Sequence, residues 1–382
     1  MLKTRIQERY RQPAKRLLTS ILHHVPQYPH YWRLRLPRRN STRPMGGGRP
    51  APYGKLYALV RTEQQAEAVK QQYGAEPLTF NPYDEAAVFQ GVVDNQITAI
   101  YHLIDAFKSD SQVYMIKALA EVKRTTGQTV HFLHLTFRLD IRSQDLLEPC
   151  GGAPHDRELR DNDPELYETQ KQQKAPHALM QTPVETNNTV IEQCELHGVK
   201  SYIFVPCIVY GKGEGFGNII SIQTVAIVKA AKALRRVYRT DEGRPTWPVC
   251  HVLDNTNLYL DITRRILKGD DSLGSGRNGY YLAASGSVAW DDLYAAMAAA
   301  LAKRDDSIID DARIEKADGA ALEKMGKALG CPAELVSLHL GGNCTFTAKH
   351  GEEIGWKPTH KPGHILEAAE DEVALILENL KE

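Results

Sequence analysis

Tyr167 and Lys171 stand four residues apart in the run DPELYETQKQQK, a spacing that brings both side chains to one face of a helix. The local sequence favours that helix. Asp163 suits an N-cap, and Pro164 suits the first helical position, where no amide partner is needed. A lysine ammonium beside a phenol favours the phenolate and lowers its pKa, so a tyrosine placed this way can take up or release a proton. Read more plainly, a Tyr/Lys pair at this spacing is also common on a solvated helix face. Pro176 and Pro183 follow Lys171 and are expected to interrupt any continuous helix towards the next apolar run. The glycine-rich run GKGEGFGN places Gly211, Gly213, Gly215 and Gly217 at alternate positions, which does not satisfy G-x-G-x-x-G, so it reads as a flexible loop on the substrate side. The six cysteines are scattered, with no close pair spaced for zinc and no secretory signal. Reduced thiols in a cytoplasmic protein without a metal site are therefore expected.

The elements that must position these residues alternate. Residues 55–62 (KLYALVRT) form a short apolar run, and EQQAEAVKQQY after it spaces Ala66, Val69 and Tyr73 on one helical face, with Gly74 as its stop. EPLTF is a second strand, and DEAAVFQGVV is a helix with Asp84 as N-cap. ITAIYHLI is a third strand. SQVYMIKALAEVKRTTG is helical and leads into the strand TVHFLHLTF, and TNNTVIEQCELHG is helical and leads into KSYIFVPCIVYG. Strands separated by helices of ten or more residues imply right-handed crossovers and a parallel sheet buried on both faces. The fold class is therefore α/β, doubly wound. From residue 241 shorter strands and helices suggest a smaller C-terminal α/β lobe, dividing the chain into 1–53, 54–240 and 241–382.

Charge separates the first of these from the rest. Residues 1–50 hold 12 of the 47 Lys and Arg but a single acid, Glu8, so the remainder is net acidic. A basic, proline-bearing segment of this kind reads as a poorly ordered extension, with a mitochondrial presequence as the alternative. Nucleic acid is an unlikely partner because the acidic remainder would repel phosphates. No apolar run approaches the roughly 18 residues that a membrane span needs.

The ordered series ALVRT, LTFNPYD, AIYHLIDA, HFLHLT, SYIFVPCIVYG, CHVLDNTNLYLDI and IGWKP resembles the extended short-chain dehydrogenase/reductase superfamily. Within it the series is most similar to fungal NAD-dependent epimerase/dehydratase-like proteins. The resemblance implies a Rossmann-like domain that binds NADP or NAD, a C-terminal lobe that shapes a pocket for a small hydroxyl or carbonyl compound, and a homodimer. It implies that Arg61 ends the strand that selects the adenosine ribose, where a guanidinium grips the 2′-phosphate of NADP. Asn81 stands where an aspartate usually approaches the adenine, Leu103 and Ile104 stand where small residues line the cofactor, and Pro206 closes a strand beside it. In such proteins a tyrosine is the general acid/base, a lysine four residues later holds the nicotinamide ribose, and a serine or threonine binds the reacting oxygen. Tyr167, Lys171 and Thr136 would fill those roles.

The sequence departs from the family at three places. Counting back from Pro206 at the usual separation reaches Pro183 rather than Lys171, and the charged stretch 137–150 replaces a short glycine- and serine-rich turn. The third departure is at the start. The pyrophosphate needs a glycine turn directly after strand one, yet the first glycines are Gly46, Gly47 and Gly48, with no apolar strand before them. The first strand therefore reads as missing or replaced, which would expose the edges of its neighbours. Two further readings follow: a catalytically inactive NADP-sensing or partner-binding protein, or a degenerate chain in which residues 1–50 and 137–150 are foreign.

Overall fold

The computed structural model describes residues 53–136, 159–173, 178–304, 308–344 and 346–380, together with the strand at 17–20; at 17–20 and 178–180 it describes the backbone alone. In chain order the strands are β1 (Leu17–Ser20), β2 (Leu56–Leu59), β3 (Glu76–Leu78), β4 (Ala99–His102), β5 (His131–Leu135), β6 (Leu159–Arg160) and β7 (Lys200–Pro206). They continue as β8 (Ile208–Tyr210), β9 (Val237–Arg239), β10 (Thr246–His251), β11 (Tyr280–Ala283), β12 (Gly286–Ala289), β13 (Ile314–Lys316) and β14 (Phe346–Thr347). Seven form the main sheet in the order β11-β7-β5-β4-β1-β2-β3, with every pairing parallel.

That order corrects the reading of a missing first strand. Leu17–Ser20 lies between β2 and β4, with Leu18 in register with Tyr57 on one side and Ile100 on the other. Four residues, LLTS, are too few to stand out from basic, proline-bearing surroundings, yet they match partners that are themselves four residues long. The region 137–150 lies outside the described residues.

Gly74 and Asp84 act at the helix ends as expected, and Thr62 adds a cap that the sequence reading placed in the strand. The Thr62 side chain accepts from Gln65 N to start the helix Glu63–Tyr73, and Gly74 ends it in the left-handed conformation (φ 62°). Asp84 accepts from Ala87 N at the start of Glu85–Asp94. Pro183 does not interrupt its helix: Ala178–His197 runs through it, because a proline in the second turn removes a single hydrogen bond close to a terminus where amides already lack helical partners.

The helix Val252–Lys268 packs across one face of the main sheet. Tyr259 stacks on Phe204 of β7 with ring centroids 3.6 Å apart, and the Tyr101 and Thr263 hydroxyls lie 2.7 Å apart. Just beyond its C-terminus Asp271 pairs with Lys200 at the start of β7, while His251 at its N-terminus meets the ring of Tyr210, just past the end of β7. The helix thus runs antiparallel to β7, with its N-terminus at the edge where the strands end. From beyond residue 240, this helix packs on the main sheet and β11 pairs within it. The other strands form the small sheet β12-β10-β8 and the pairs β13-β9 and β14-β6.

Phe204 and Tyr259 are both buried, so Phe204→Ala leaves a cavity beneath the helix. The expected loss is about 3–5 kcal/mol of unfolding free energy, read by chemical denaturation. A loss below about 1 kcal/mol would mean that the stack does not hold helix to sheet.

Candidate functional site

In an open parallel sheet, ligands bind outside the carboxyl ends of the strands where the strand order reverses. Here the reversal is at β1, since the chain moves outward through β2 and β3 and then returns to β4 on the other side. Arg61 follows β2 at this edge and is exposed. Its amide donates to Gln65 Oε1 (3.0 Å), and among the described residues its guanidinium makes no hydrogen bond or ion pair.

The residues after β3 and β4 meet beside it. Tyr83 is 43% exposed, and its hydroxyl donates to Asp105 Oδ2 at 3.0 Å. Asp105 is held from two more sides, its Oδ1 accepting from Phe107 N (2.7 Å) and its carbonyl oxygen from Gln112 Nε2 (2.7 Å). Burial and the Asp105 charge push the Tyr83 phenol upward, with Arg61 opposing, so this tyrosine stays protonated and offers a half-exposed aromatic face. Asn81 is committed locally: its Oδ1 accepts from Tyr83 N (3.1 Å) in a turn, which uses the acceptor expected to approach adenine. Leu103 and Ile104 are buried as sheet core. The sequence reading passed over Tyr83, whose only local sign is the turn NPYD shortly after β3, and Asp105, which lies just past β4.

Thr136 directly follows β5, buried, with its amide donating to Phe204 O (3.0 Å). Pro206 ends β7 beside Ala283 of β11. Tyr167 and Lys171 do share a helical face, on Leu166–Gln172, but the structure does not bring them to Thr136. The Tyr167 hydroxyl donates to Glu192 Oε1 (2.7 Å), and Lys171 Nζ binds the same oxygen (2.8 Å). The Arg277 guanidinium lies 4.6 Å from the Tyr167 ring centroid and also pairs with Glu168 and Glu195. Arg277 precedes β11, at the level where β7 begins, because Gly279 O accepts from Ile203 N. The cluster therefore braces the helix Ala178–His197 beside the first half of β7, whereas Thr136 lies at the strand ends. Burial and Glu192 raise the phenol's pKa, the reverse of what a general base at neutral pH needs.

The helix that leads directly into β7 is Ala178–His197, and it carries Pro183 and Asn187 four residues apart. Asn187 is buried, and its Oδ1 has no hydrogen-bond partner among the described residues. The strand-end edge thus combines a cationic and aromatic cradle at β2–β4 with a hydroxyl at β5, and the resemblance's tyrosine–lysine pair stands elsewhere.

Tyr167→Phe should remove one hydrogen bond and lower stability by about 0.5–1.5 kcal/mol in thermal or chemical unfolding. Any turnover should be unchanged. A loss of turnover of a hundredfold or more at intact stability would place Tyr167 in the chemistry instead.

The sequence matches no protein-family model, and no curated protein matches it. Solved structures with similar folds exist. The terminal R domain from the myxalamid PKS-NRPS biosynthetic pathway superimposes with a TM-score of 0.55 at 13% identity, covering 97% of this chain and 93% of that one. UDP-glucose 4-epimerase from Thermotoga maritima, solved with UDP-glucose, gives 0.52 at 11% identity, covering 95% of this chain and 99% of that one. What this chain shares with both is the fold, a Rossmann-like α/β arrangement built on a doubly wound parallel sheet.

Proposed function

We propose that this protein is an NAD(P)-dependent oxidoreductase or epimerase/dehydratase-like protein, that it prefers NADP, and that it acts on a small hydroxyl or carbonyl compound. The observation that carries the reading is the strand reversal at β1, with an uncommitted guanidinium, Arg61, at the end of β2. In folds of this type that position meets the adenosine ribose: an acid there favours the 2′-hydroxyl of NAD, and an arginine favours the 2′-phosphate of NADP.

The residues fit the adenosine half of such a cofactor better than the pyrophosphate half. Arg61 supplies a bidentate donor for a phosphate, and Tyr83 an aromatic face fixed by Asp105. Between Leu17 and Gly46, however, the sequence contains no glycine, the residue type that lets backbone approach a pyrophosphate closely. Affinity therefore rests on the adenosine half. When bound, the nicotinamide would supply or accept a hydride. On this chain's side, Thr136 stands at the same edge as a hydroxyl for a substrate oxygen. A cofactor-sensing protein that binds without turnover is the second reading and the less favoured of the two.

Calorimetric titration with NADPH and NADH tests the proposal. NADPH should bind more tightly, and Arg61→Ala should weaken NADPH by about 10–100-fold, the worth of a charge-assisted contact, while changing NADH by less than about threefold. Failure of both nucleotides to bind at near-millimolar concentration would overturn it. Binding without turnover over a panel of carbonyl compounds would select the sensing protein.

A further inference from the structure

Three histidines from two distant parts of the chain meet at the N-terminus of the helix Val252–Lys268. His251 stacks on His360 with centroids 3.8 Å apart, and His364 stands edge-on to both, at 5.9 Å from His251 and 4.8 Å from His360. Among the described residues no group of three or more His, Cys, Asp or Glu side chains is arranged to hold a metal ion.

The cluster closes a clasp on the segment 356–364. Asp254, buried in the first turn of the helix, accepts from Thr359 N (3.0 Å), Thr359 Oγ1 (2.9 Å) and His360 N (2.9 Å), and its Oδ2 lies 2.8 Å from His360 Nδ1. The Trp356 indole donates to the Asp254 carbonyl oxygen (2.9 Å). His364 Nδ1 is 3.0 Å from the Tyr210 hydroxyl, and Glu372 in the following helix accepts from Gly211 N (2.5 Å) and Thr224 Oγ1 (3.1 Å). The segment is thus fastened to β8 and β10 at the edge where β7 ends.

His251 is the member of the cluster that cannot take a proton without breaking something. Its Nδ1 accepts from Leu253 N (3.3 Å), capping the helix, and its Nε2 side is pressed against Gly211, where any side chain would collide with the ring. A proton on Nδ1 removes the cap's lone pair, puts a positive charge at the positive end of a helix dipole, and sets a cation against the rings of His360 and His364. The titratable groups facing the cluster are His360, His364, Asp254 and Tyr210, with Glu372, Cys250 and Cys207 around Tyr210. Of these, only Asp254 opposes the effect at His251. We propose that the His251–His360–His364 cluster is an acid-operated clasp, which protonation of His251 opens so that the segment 357–364 leaves the N-terminus of the helix Val252–Lys268. This inference is independent of which nucleotide the protein binds.

Burial, and then the neighbouring His360, push His251 down to about 4 from 6.5 while the clasp is closed. Closure is therefore fully favourable above pH 6.5, weakens as the pH falls through 6.5, and stops weakening near pH 4. Opening should become about tenfold more frequent between pH 7.5 and pH 5.5 by that linkage. Amide hydrogen exchange of the full chain, corrected for the intrinsic pH dependence of exchange, reads this at residues 359 and 360, with β4 as the internal control. The wild type should lose about tenfold in protection at Thr359 and His360, with none lost at β4. His251→Asn keeps a capping acceptor but cannot titrate, and its protection should be the same at both pH values. An unchanged wild-type ratio overturns the proposal whether or not the variant folds, and an equal loss in wild type and variant overturns it too.

Discussion

A parallel strand with no neighbour presents a row of unsatisfied amides and carbonyls, and in the middle of a sheet such a row cannot reach water. Without β1, both β2 and β4 would carry one. Their residues 56–59 and 99–102 are buried throughout, so the gap would open into the core and not at a surface. The pairing of Leu17–Ser20 with both neighbours removes that cost and sets the reversal of strand order. Everything proposed for the site descends from that reversal, because it decides which strand ends face a common crevice.

The two edges of the main sheet do different work. At the strand ends, charged and aromatic groups are held by short local bonds and remain partly open, as Tyr83 on Asp105 and the exposed Arg61 illustrate. Beside the first half of β7, charges compensate one another: Glu192 takes Tyr167 and Lys171, and Glu195 and Glu168 take Arg277. Largely exposed ion pairs of this kind contribute little stability each. Their effect is to fix the small helix Leu166–Gln172 against its larger neighbour, which is a bracing role.

The parts of the fold legible in the sequence were those in which local chemistry and burial agree. Gly74 and Asp84 act at their helix ends as their residue types dictate, and β4, β5 and β7 are apolar runs buried throughout or nearly so. β1 was not legible because four residues give no periodicity, and its assignment depends on partners about 40 and 80 residues away. For the pair Tyr167–Lys171 the spacing predicted the shared face that the helix shows, but spacing says nothing about which edge of the sheet that face reaches. Asp254 and the three histidines were illegible for the same reason, since their contacts join residues more than 100 positions apart.

Amide hydrogen exchange over residues 17–20 tests the central claim most directly. A strand paired on both sides should exchange as slowly as β4, its neighbour, and lose protection only when the whole sheet unfolds. Exchange of these amides at the rate of an unstructured peptide, with β4 still protected, would contradict the account and return the first strand to the list of things this chain lacks.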